Sequence, residues 1–86
     1  MQTKALYPHL SYALARKTYL EHPTRENLRA VVAATVVERK ATASAFMREA
    51  NQCAAYGLRE VRCVRMRQRN KAHGHARRFA RLLSMI

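Results

Sequence analysis

Residues 57–86 read GLREVRCVRMRQRNKAHGHARRFARLLSMI. Advancing about 100° per residue from Leu58 gathers Val61, Val64, Gln68, Ala72, His75, Ala76, Phe79, Leu82, Leu83 and Ile86 on one stripe. Only Gln68 and His75 interrupt its apolar character. The same register sends Arg59, Arg62, Arg67, Arg69, Arg77, Arg78 and Arg81 to the flanks and back of the helix. The apolar stripe gains free energy by burial against partner helices, whereas a guanidinium face is costly to bury and has to meet water or an anion. The pattern predicts a helix over about 58–85. Gly74 lies inside it, but the stripe keeps its phase across that residue, so a weak point or bend is expected there and not an end.

Upstream of this stretch, Tyr56-Gly57 is a turn, because glycine takes the left-handed conformation that closes a helix. Before the turn, Leu28, Val31, Val32, Thr35, Val36, Ala43, Phe46, Met47, Ala50, Cys53 and Ala54 recur at helical spacing. They predict a second long helix over about 24–55, opened by Thr24 as N-cap and by Glu26 in the positively polarised first turn. The run Ala41-Thr42-Ala43-Ser44-Ala45 holds neither Gly nor Pro, so this helix is read as continuous. So short a connection forces the two long helices into an antiparallel hairpin.

A shorter helix is predicted over about 8–21, since Pro8 suits a first turn and His22-Pro23 pushes His22 out of the α region. Its apolar face is Leu6, Leu10, Ala13, Leu14 and Leu20. Tyr12 and Tyr19 fall opposite and are expected to cover a neighbouring helix, since a base-stacking platform would carry more basic neighbours than Arg16. The expected architecture is all-α: a three-helix antiparallel bundle or hairpin in one basic domain spanning 1–86, with Phe46, Val61 and Phe79 in the core. Arg39 falls near the centre of the second stripe. There it needs Glu21 or another Glu, a route to the surface, or a partner on another chain.

With 49% hydrophobic residues, much of that alanine, and only two Gly and two Pro, the composition favours helices over a turn-rich β fold. Seventeen Lys+Arg against five acids give +12, and all five acids are Glu. Residues 57–86 hold nine Lys+Arg and one Glu, net +8; residues 1–56 hold eight and four, net +4. A basic stripe concentrated on one element is the electrostatic footprint of a nucleic-acid binder. Arginine dominates it, and the planar guanidinium pairs bidentately with phosphate or carboxylate.

Other classes are excluded by what the chain lacks. Without Asp there is no Ser-His-Asp arrangement, the five Glu are scattered, and no glycine-rich loop could cradle a phosphate, so no enzyme and no cofactor is expected. Cys53, Cys63, His73 and His75 have the wrong spacing for zinc, so no metal is expected either. Glu21, Glu26, Glu38, Glu49 and Glu60 are read as salt-bridge partners of Arg25, Arg29, Arg48 or Arg62. The Met1–Lys4 start leads into no signal-peptide core, no apolar run is long enough to cross a membrane, and two cysteines suit a reducing compartment. A cytoplasmic location is expected, in the host cytoplasm if the chain is phage-encoded.

Two functions fit. In the first, the arginines Arg59, Arg62, Arg67, Arg69, Arg77, Arg78 and Arg81 contact the backbone of DNA or RNA along about 40 Å of helix. The alternative is a protein-binding inhibitor or adaptor, of mobile-element or phage type, that docks on an acidic surface of a nucleic-acid-processing host enzyme. A membrane-surface role is disfavoured because the stripe is committed to the bundle. Long helices with a thin core leave oligomerisation open. Asn70, among the arginines, is the one side chain there of the type that reads adenine edges.

Overall fold

Thr24 fixes where the longest helix begins: its backbone is extended and its hydroxyl accepts from the Asn27 N–H at 3.1 Å, satisfying one of the free donors of the first turn. From there one helix runs 31 residues without a break. The structure, a computed structural model, describes residues 8–86. It consists of α1 (Pro8–Glu21), α2 (Arg25–Ala55) and α3 (Arg59–Met85), with no strand among the described residues. All three expected helices are present with the expected lengths, and α3 passes Gly74 without ending. Leu6 and the Met1–Lys4 start lie outside the described residues.

The hairpin turn is a Schellman motif. Gly57 adopts φ 71°, its N–H donates to Ala54 O at 3.1 Å, and the Leu58 N–H donates to Cys53 O at 2.8 Å. At the open end of the hairpin, Arg25 Nε donates to Ile86 O at 2.7 Å and Arg29 Nη1 to Leu83 O at 3.3 Å. These arginines fill acceptors that the last turn of α3 cannot satisfy within its own helix, and they place positive charge at its negative pole. The expectation that Arg25 and Arg29 pair with nearby glutamates is therefore corrected: helix-end carbonyls take them.

Between α2 and α3 the seam is made of small residues. Val32, Val36, Ala43 and Ala50 of α2 and Ala72 and Ala76 of α3 are buried, Ala50 and Ala76 to 1% exposure. Among the described residues no bulky side chain is fully buried. Alanines let the two helices approach closely, and the close approach displaces larger groups from the seam to its margins. Phe46 and Phe79 are accordingly half-buried, and Val61 is 43% exposed where a core position was expected. Phe79→Ala should then cost about 1–2 kcal/mol in urea unfolding, well under the ~3–5 kcal/mol of a fully buried phenylalanine. A loss at the upper figure would mean that Phe79 is more deeply covered than it is here.

Helix α1 packs along α2 on the side away from the hairpin partner, so α2 has two covered faces. That second contact explains why Ala34 and Glu38, off the apolar stripe of α2, are buried. Leu10, Leu14 and Leu20 stay largely exposed, and an open groove forms from Leu10, Leu14 and Ala15 of α1 with Asn27 and Ala30 of α2. The result is a flat layer of 49 × 26 × 19 Å with α2 in the middle and α3 along one edge. That edge carries most of the arginine.

Candidate functional site

Once alanines face α2, the remaining circumference of α3 is free for charge. Arg59, Arg62, Arg67, Arg77, Arg78 and Arg81 are exposed; Arg69 is half-buried and donates to Asn70 Oδ1 at 3.0 Å. That bond takes one of the two lone pairs of the oxygen with which Asn70 would read a base edge. Helical spacing sorts the seven arginines into two rows: Arg59, Arg62, Arg69 and Arg77 toward one face of the layer, Arg67 and Arg78 toward the other, with Arg81 between. They therefore wrap the outer half of a helix about 40 Å long and do not form one flat patch.

None of the seven is in an ion pair among the described residues. The carboxylates are engaged elsewhere: Glu49 takes Arg65 Nε at 2.8 Å, and Glu38 takes Arg39 and His9. Glu60, on the same helix as the arginines, is exposed and outside these pairs, so the expected link of Glu60 to Arg62 is absent. Arg39 finds its carboxylate one residue away, with Nε 2.5 Å from Glu38 Oε2, and not at Glu21. Glu38 is only 7% exposed. Arg39, hydrogen-bonded to it, holds its pKa below the ordinary value of 4.5 against the opposing effect of burial, and His9 and Thr42 assist.

Two grooves between α2 and α3 border this surface. Lys40 of α2 lines a groove with Ser44, Met47, Arg69 and His73, and on the opposite face Arg39 and Phe46 line another with Gln68, Lys71 and His75. Reading α3 alone missed Lys40. The signal was present, because a hairpin folded at Gly57 brings position 40 level with about position 74, and the imidazoles flank Gly74 on both faces.

No family model, no curated protein and no solved structure matches the chain. What the surface can do rests on its own chemistry. Guanidinium and ammonium groups without counter-charge bind anions, and rows spaced along a straight rod suit a repeating anion better than a single small one. Among the described residues no three His, Cys or Glu side chains come together in a way that could hold a metal ion; Cys53 is half-buried and Cys63 exposed, both free thiols. No helix among the described residues is long and apolar enough to cross a membrane.

Proposed function

We propose that this is a non-enzymatic basic protein that lays the arginine face of α3 against the phosphate backbone of DNA or RNA. The observation that carries it is the absence of any carboxylate partner for Arg59, Arg62, Arg67, Arg69, Arg77, Arg78 or Arg81 among the described residues, on a helix segment of net charge +8. Solvated faces that serve solubility alone mix both signs of charge. The free thiols Cys53 and Cys63 fit a reducing, cytoplasmic setting. Contacts of this kind give affinity without sequence preference, because phosphates are the same at every base.

The test is the salt dependence of binding to single-stranded and duplex oligonucleotides. Neutralising five to seven phosphates should give a slope of log affinity against log salt of about −4 to −6. A pull-down from lysate with and without nuclease runs alongside, and partners tethered through nucleic acid should vanish on digestion. Absence of binding to either strand form at low salt would end this reading and leave the second, in which the same arginines engage an acidic surface of a nucleic-acid-processing protein.

A further inference from the structure

Besides Met85 near its end, α3 leaves three apolar side chains on its surface in spite of having a partner: Val61 at 43% exposure, Val64 at 47% and Leu82 at 39%. Helical spacing aligns them with Gln68, His75 and Phe79, all half-buried, on the face of the layer where Gln68 and His75 line the groove beside Phe46. Their order along the helix is symmetric. Val61 and Leu82, Val64 and Phe79, and Gln68 and His75 stand at equal distances on either side of the point between Lys71 and Ala72. An antiparallel copy of α3 laid on this face about that point would set each apolar residue against an apolar one and Gln68 against His75.

From this self-complementary stripe we infer that two copies of the chain associate through α3, antiparallel, about a two-fold axis passing close to Lys71. Such an interface is isologous, the usual form for a symmetric dimer. The two polar interruptions then satisfy one another. Gln68 Oε1 already accepts from Arg65 Nη1 at 2.7 Å, which leaves the carboxamide N–H groups to donate to an imidazole nitrogen of His75 in the other copy. Burial of polar groups is tolerated where they pair in this way. The surface area points the same way. The chain exposes 6601 Å², whereas a compact monomer of 9.9 kDa exposes about 5200 Å². The excess, about 1400 Å², is spread over the whole chain, α1 included, and is larger than the ~800 Å² that each partner gives to a standard interface. A second copy also accounts for a seam too thin to enclose Phe46 and Phe79.

Each copy carries +12, so association works against repulsion. Arg59, Arg62 and Arg77 lie on the far row and Arg81 on the outer edge, so the dimer leaves them facing outward, while Arg67, Lys71 and Arg78 border the stripe and supply the repulsion. Screening should then tighten the dimer as salt rises, the reverse of the effect on a nucleic-acid contact.

Sedimentation of the full chain over a concentration series, at low and high salt, gives the association constant. Val64→Lys and Leu82→Lys, both at exposed positions, should keep the helical circular dichroism and weaken association by roughly 100-fold or more, since each change is present twice in the dimer. Register is tested by cross-linking with Cys53 and Cys63 changed to Ser. Lys71→Cys should form a disulfide dimer on mild oxidation. Val64→Cys alone should not, but should cross-link when mixed with Phe79→Cys. A chain monomeric at every concentration overturns the inference, as does a dimer indifferent to both lysine variants or one cross-linking in another register.

Discussion

Changing Arg59, Arg62, Arg69, Arg77 and Arg81 together to Gln should lower affinity for an oligonucleotide by more than about 100-fold at moderate salt, and flatten the salt slope by about 4–5 units. The magnitude follows from counterion release, since each guanidinium that no longer neutralises a phosphate removes about 0.9 from the slope. Stability should hardly change. None of the five touches a carboxylate among the described residues, and four are exposed, so the fold loses no ion pair when they are neutralised. Relief of like-charge repulsion along α3 should even raise the melting temperature slightly. Circular dichroism and thermal melting therefore serve as the control for the binding measurement. Full affinity retained by a folded variant would place the anion contact elsewhere, with the groove of Lys40, Ser44 and His73 as the first place to look.

Helix limits were legible because their signals are local. Thr24 as a cap, His22-Pro23 as a break and Gly57 as the left-handed closure each act through the backbone of a few neighbouring residues, and each stands where the spacing placed it. The arginine face was legible for the same reason, since periodicity along one helix fixes which side chains share a side. What periodicity alone cannot supply is the distance between helices. It marked Val61, Phe46 and Phe79 as core because they are large and in phase, but alanines at 43, 50, 72 and 76 draw the helices together and leave the large groups at the margin. Glu38 shows the same limit from the other side. Off the apolar stripe it reads as a surface salt-bridge partner like the other four glutamates, and only the docking of α1 on the second face of α2 makes it buried. Its neighbour Arg39 gave the one advance sign, since an arginine in phase with a core stripe needs a carboxylate close by.

Glu38 is accordingly the residue whose loss should destabilise the layer most. The carboxylate is buried where α1 crosses α2, takes Arg39 from its own helix and His9 Nδ1 from α1 at 3.0 Å, and lies 3.4 Å from the Thr42 hydroxyl. His9 is largely exposed, so its pairing adds little; the Arg39 bonds carry most of the stabilisation. Glu38→Ala removes an acceptor shared by Arg39 and His9 and leaves a gap beneath α1, at an expected cost of about 2–3 kcal/mol. The loss should concentrate in α1, with amide exchange accelerated over residues 9–21 and protection near Ala50 and Ala76 retained. Because Glu38 ionises more readily in the folded chain than in the unfolded one, its contribution is present above the ordinary carboxylate range and disappears as pH falls through 4.5 toward the lowered folded value. Wild-type melting should therefore fall more steeply with acid than that of Glu38→Gln, which keeps the shape but carries no charge. Parallel acid profiles for the two proteins, or exchange accelerated equally throughout α2 and α3, would show that the carboxylate does not fasten α1 to the hairpin.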